Sequence, residues 1–251
     1  MPCQWSRRAL PVLLLLAATA RVAAAPQVSI SIATPQEGAT ITAPSVSFTI
    51  DAKGFKIDCG LAGKASQDGV GHWHVILDDR LVDMACGPGY LVSLRNVKPG
   101  PHTLVAVLAQ NNHTEIRESA AKVTFTFRPE EVLPHLTDFN AGKPRLLISF
   151  PKNGATVTGQ TFPLLMNVQN FRLSCETFGK PPVANTGHWH VDLDRTTQRM
   201  ATMLSMGCTN AFDVPLKGIP TGPHTFIVVL VDNLHYPITP LVAARVTVRV
   251  R

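Results

Sequence analysis

From residue 28 onward, apolar and polar positions alternate with the period of two expected of half-buried strands. Val28 to Ile32, Val46 to Ile50, His72 to Leu77, His102 to Leu108 and Val123 to Phe127 are short β-prone runs separated by Gly, Pro and Asn. No stretch carries the 3.6-residue period of a long amphipathic helix. Several short strands with turn signals in about 100 residues predict an immunoglobulin-like or fibronectin-like β-sandwich.

The same pattern then runs a second time. A shift of 116 residues lays Pro35, Gly38 and Thr40 on Pro151, Gly154 and Thr156, Phe55 on Phe171, and Cys59 on Cys175. It also lays Gly71-His-Trp-His-Val-Ile-Leu-Asp78 on Gly187-His-Trp-His-Val-Asp-Leu-Asp194. Beyond that motif the shift becomes 122, placing Cys86 on Cys208, Gly100-Pro-His-Thr103 on Gly222-Pro-His-Thr225, and His113 on His235. The second copy therefore carries six extra residues, expected within Arg195–Thr202. Two repeats of domain size are too few for a solenoid. The expectation is an all-β chain of two tandem sandwiches, 26–127 and 145–251, joined by a linker over 128–144 that is rich in proline and charge.

Alternation also sorts the repeated motif into faces. Trp73, Val75 and Leu77 share one face, and Trp189, Val191 and Leu193 share the equivalent one, which predicts the core side. His72 with His74, and His188 with His190, lie on the opposite face, expected to point outward. Histidines at i and i+2 have Cα atoms roughly 7 Å apart, so their imidazoles can converge on one copper or zinc ion. His113 and His235 follow a strand end, where a loop can bring them back over the sheet as third ligands. Of the nine histidines, eight fall into matched pairs, and His135 in the linker stands alone. His102 and His224 open a strand after Gly-Pro; they are weaker metal candidates, since such a histidine more often closes a turn on backbone. Asp78 and Asp194 are placed in the turn after the strand, away from the site.

Composition adds a compartment. Arg7 and Arg8, an apolar run from Ala9 to Ala20 and small residues to Ala25 have the layout of a signal peptide over 1–25. The run is about 12 residues, short of the roughly 20 that span a bilayer, so a secreted or periplasmic protein without a membrane span is expected. Removing this segment leaves 20 basic against 17 acidic groups, with no dense basic stripe, which argues against nucleic acid as a partner. Four cysteines remain, and their matched positions predict the disulfides Cys59–Cys86 and Cys175–Cys208, each worth roughly 3 kcal/mol by chain entropy. Met200, Met203 and Met206 offer soft ligands for copper(I), although methionines near an apolar strand are usually packing.

The motif Gly-His-Trp-His-Val-x-Leu-Asp, followed by Gly-Pro-His-Thr and Asn-x-His, resembles a group of uncharacterised bacterial secreted and periplasmic His-rich domains. The likeness covers most of both copies and implies a small β-sandwich outside the cytoplasm, without supplying a substrate. Ala109-Gln110 stands where the second copy has Val231-Asp232, so a ligand role for the aspartate before the last histidine is in doubt. There is no Gly-x-Ser-x-Gly elbow, no His-Glu-x-x-His and no phosphate-cradling glycine loop. Binding is therefore expected rather than catalysis: a metal-binding module, or alternatively an interaction module for protein or polysaccharide with structural histidines.

Overall fold

The computed structural model describes residues 28–197 and 200–251, so the signal peptide expected over 1–25 lies outside the described residues. The first repeat contains nine strands: β1 (Ser29–Thr34), β2 (Ala39–Ile41), β3 (Ser45–Lys53), β4 (Lys56–Ile57), β5 (Val70–Leu77), β6 (Arg80–Ala85), β7 (Gly89–Ser93), β8 (Gly100–Gln110) and β9 (Ala121–Phe127). The second repeats them as β10 (Arg145–Phe150), β11 (Thr156–Val157), β12 (Thr161–Gln169), β13 (Arg172–Leu173), β14 (Thr186–Leu193), β15 (Met203–Gly207), β16 (Ala211–Pro215), β17 (Gly222–Val231) and β18 (Ala243–Val250). No described helix is long and apolar enough to cross a membrane.

In each repeat a three-stranded sheet, β1-β3-β7 or β10-β12-β16, packs on a six-stranded one. The larger sheet of the first repeat runs β2-β9-β8-β5-β4, with β6 also paired to β5. Taking β1, β3, β5, β7, β8 and β9 as strands A, B, C, E, F and G gives sheets A-B-E and G-F-C. That is the immunoglobulin and fibronectin arrangement. The short β2 pairs parallel to β9, as β11 does to β18.

Each core is built from the face that alternation predicts. Trp73, Val75 and Leu77 are buried in the first core and Trp189 and Val191 in the second. Trp73 meets Phe48 of the opposite sheet edge-on at 5.3 Å, and its Nε1 donates to the Gly87 carbonyl at 2.8 Å. The glycine before each His-Trp-His has a steric reason: a Cβ at Gly71 or Gly187 would run into the carbonyl of Ala109 or Val231 on the paired strand. The disulfides form as the spacing predicts, Cys59–Cys86 and Cys175–Cys208. Each ties the loop after β4 or β13 to the end of β6 or β15.

The histidine face does not point outward. His72 and His74 are 0% and 3% exposed, and His188 and His190 0% and 6%; both pairs lie at the seam between the repeats, and His188 also packs on Phe178 of its own repeat. The packing is reciprocal. Buried Lys64 donates from the first repeat to the carbonyl of Pro215, and buried Lys180 donates from the second to that of Ser93. Lys64 and Lys180 correspond at the 116 shift, and Ser93 and Pro215 at the 122 shift, so the two contacts are one contact made twice. Met84, Met203 and Ala62 form a small apolar cluster across the same seam, with Met200 and Met206 packed against it. Cys175, Phe178, Met206 and Cys208 of the second repeat also join the first core.

Residues 128–144 contain no strand or helix. They are nonetheless tied to both repeats: Leu136 exchanges hydrogen bonds with the Asn96 side chain, and the Phe139 N–H donates to Ala184 O.

Replacing Cys59 and Cys86 by alanine is expected to lower unfolding stability by about 3 kcal/mol, on the entropy of the loop they close. A shift in denaturant midpoint at unchanged slope measures it, and an unchanged midpoint would show that the seam already restrains this loop.

Candidate metal centre

Strand β5 places His72 and His74 on one face, and the turn after β8 returns His113 onto them. His113 sits at φ 63°, the left-handed conformation that reverses the chain within one residue, and His235 repeats it at φ 66°. Three ring nitrogens converge in each repeat. His72 Nε2 lies 3.3 Å from His74 Nε2 and 3.1 Å from His113 Nδ1. In the second repeat, His188 Nε2 is 3.0 Å from His190 Nε2 and 2.9 Å from His235 Nδ1, and the last two are 3.3 Å apart. An ion bonded to imidazole nitrogens at about 2.0–2.1 Å sees neighbours this far apart at roughly 90–107°. That is close to a tetrahedral face with the fourth position left over.

Protonation favours the same reading. His113 Nε2 is 2.7 Å from the Met203 carbonyl, and His235 Nε2 is 2.9 Å from that of Leu81. A carbonyl only accepts, so each Nε2 carries the proton and each inward Nδ1 is a bare lone pair. His74 Nδ1 donates to the Glu115 carboxylate at 2.9 Å, so its Nε2 is the nitrogen turned inward. That bond holds the Glu115 carboxyl below its usual range. Burial, aided by the neighbouring imidazoles, pushes His72 down to about 2. Burial pushes His113 and His235 down to about 4 against the opposing pull of their carbonyl partners. His188 and His190 are driven well down for the same reason. Lone pairs held this close repel unless a proton or a cation sits among them. Imidazoles whose outer N–H is anchored on carbonyl or carboxylate are the usual form of a metal ligand. The outer Nδ1 atoms of His72 and His188 are buried and find no partner among the described residues.

Both anchoring carbonyls come from the opposite repeat. Met203 and Leu81 are equivalents at the 122 shift, so each triad is oriented by its twin. The triads are near enough that His113 depresses His190 and His74 depresses His235.

The other candidates lie elsewhere. His102 bonds Asp78 at 2.6 Å and the Lys98 carbonyl at 2.7 Å, while His224 bonds Asp194 at 2.9 Å and the Pro220 carbonyl at 3.0 Å. Asp78 and Asp194 also accept the N–H of Thr103 and Thr225. These residues clip the β5–β8 and β14–β17 ends and stand outside both triads. Asp232 accepts from the N–H of Leu234 and Tyr236, shaping the loop that carries His235.

Sequence reasoning missed Glu115, which has no counterpart because Pro237 occupies its place. The bridges Ala109↔Glu115 and Val231↔Pro237 establish that equivalence. It also missed Asp192, buried beside His190 where the first repeat has Ile76; burial raises its carboxyl to about 6. The paired lysines were missed too, although their 116 spacing was visible.

Neither protein-family models nor curated proteins match the chain. Among solved structures it is similar to the fibronectin(III)-like modules of Clostridium thermocellum CbhA, at 12% identity over 88% of this chain and 94% of that one, TM-score 0.28. It is also similar to Dpr2 Ig1-Ig2 in complex with DIP-Theta Ig1-Ig3, at 12% identity over 89% and 99%, TM-score 0.22. Immunoglobulin domains 1–4 of Sidekick-1 match at 10% identity over 90% of this chain and 52% of that one, TM-score 0.23.

In metal-free protein at pH 6, His113 and His235 are expected as neutral Nε2–H tautomers, the proton competing poorly at a pKa depressed to about 4. Long-range nitrogen–proton NMR reads this directly, and imidazolium signals from either residue would contradict it.

Proposed function

We propose that the protein is an exported metal-binding protein in which each repeat holds one copper or zinc ion. His72, His74 and His113 supply the ligands in the first repeat, and His188, His190 and His235 in the second. One observation carries the reading: three ring nitrogens lie within 4.8 Å of one another in both repeats, while the outer N–H of the loop histidine is anchored on a carbonyl of the other repeat. The anchors on His74, His113 and His235 leave their inward nitrogens as acceptors, so a proton inside either cluster has to come from an unanchored ring such as His72 or His188, and an ion in its place would meet three lone pairs. The repeats are taken as 26–127 and 145–251, joined by 128–144, after removal of 1–25. Two disulfides fit a secreted or periplasmic setting. Because the triads lie in the seam, an ion at either one also fastens the repeats together.

The other reading, an interaction module whose histidines are structural, draws on the apolar surface of the second repeat. Leu147, Phe150 and Leu165 stand exposed on its three-stranded sheet, a face suited to a protein or polysaccharide.

Metal analysis separates the two. Protein lacking residues 1–25 and any His-tag, stripped and reloaded, is expected to bind about two Cu(II) or Zn(II). His72→Ala with His74→Ala removes one, and His188→Ala with His190→Ala removes the other. Excess metal is expected to raise the melting temperature by linkage, about 2.7 kcal/mol for each site at a hundredfold excess over Kd. No binding above background, or an equal loss of melting temperature in the variants with and without metal, supports the structural reading.

A second variant probes the anchor. Glu115→Ala is expected to weaken the first site about 10- to 100-fold and leave the second unchanged, measured by competition with a chelator of known affinity.

A further inference from the structure

The two triads are alike in their ligands and unlike in what surrounds them. His72, His74 and His113 are all buried and line none of the described cavities. His190 and His235 instead line a cavity of about 290 Å³, in which His235 is partly exposed. Three differences between the repeats account for this. Pro237 replaces Glu115, so no carboxylate reaches over the second histidine of the strand as Glu115 does over His74. Asp192 replaces Ile76 and puts a buried carboxylate on the cavity wall two residues from His190. The six-residue insertion replaces the tight turn at Asp78 and Asp79, and its Thr197 borders the same space.

Resting on the metal reading above, we propose that the second centre is an open one whose fourth position takes a small organic anion from this cavity, whereas the first centre is closed to such ligands. The chemistry of the walls selects the class. Val229 and Val231 give an aliphatic surface, and Arg245 stands at the exposed side. A dication on three neutral imidazoles together with Arg245 outweighs the single charge of Asp192. A carboxylate with a short alkyl chain therefore meets the ion with its oxygen and the valines with its chain. The cavity is near the small end of ligand-sized pockets, which sets the limit at a few carbons beyond the carboxylate.

Cobalt(II) tests this, since its visible spectrum reports a change of ligand. The cobalt content of the wild type is measured first. About two per chain upholds the metal reading, and none overturns it together with this proposal. Hexanoate and azide are then titrated into two cobalt-loaded proteins, H72A/H74A, which keeps only the second centre, and H188A/H190A, which keeps only the first. The expected result is a saturable spectral change with hexanoate in H72A/H74A and at least a tenfold weaker one in H188A/H190A. Ala243→Phe, which fills the cavity from β18 at a position paired with Val229 and not with a ligand, should abolish the hexanoate response while retaining the cobalt spectrum and the response to azide. Equal responses from the two centres overturn the proposal, as does cobalt bound at the second centre with no response to hexanoate. Both outcomes leave the metal reading intact.

Discussion

Each repeat buries the histidine face of the other, and the organisation of the molecule depends on that reciprocity. A sheet in a two-layer sandwich needs one covered face. Here strands β5 and β14 have two, the second supplied by a copy of the same domain. A face closed by the twin domain keeps water from the triads, and that exclusion pushes His72, His113, His188, His190 and His235 toward the neutral form. The His113–Met203 and His235–Leu81 hydrogen bonds then decide which nitrogen of each ring faces inward. Had the repeats stood apart on a flexible linker, those rings would be solvated, free to flip and free to protonate near their usual range.

Such a seam is not what hydrophobic burial alone would produce. Replacing a water-exposed imidazole by one held dry and incompletely paired costs on the order of 1–3 kcal/mol, and the orphaned Nδ1 atoms of His72 and His188 bear that cost in full. Buried Lys64 and Lys180 offset part of it by satisfying carbonyls at strand ends. The apolar contribution at the seam comes from a few side chains, chiefly Met84, Met203 and Phe178, far fewer than in either sandwich core. Where local chemistry departs from the pattern that best stabilises a fold, function is the usual reason. Two triads built to the same plan make that departure systematic.

The sandwich itself was legible from the chain because its determinants are local and repeated. Trp73, Val75 and Leu77 mark the core face through alternation, and the matched cysteines mark the bridges through equal placement. The triads were legible for the same reason, as histidines paired at constant shift. The cover was not. Alternation distinguishes two faces of a strand without saying what lies over either, and the groups that close this face are 90 and 154 residues away from His113 and His235. Glu115 and Asp192 escaped for the opposite reason. A search for what the copies share passes over positions where they differ, and these two residues matter because Pro237 and Ile76 stand in their places.

Those differences give the duplication its consequence. Two identical centres related by a pseudo-twofold axis would be equally accessible, since whatever covers one covers the other. Departure from that symmetry therefore has to come from side chains at the rim, and the sequence changes there all act in one direction. A carboxylate that anchors His74 is absent at His190, an isoleucine becomes an aspartate, and a two-residue turn becomes a longer loop. Each loosens or opens the second centre and leaves the first enclosed. An enclosed three-histidine site with two of its three outer nitrogens anchored would suit retention of an ion, while an open one would suit exchange at the ion. The shared seam couples both tasks to the docking of the repeats, because the carbonyl that orients either triad belongs to the strand that carries the other repeat's side of the interface.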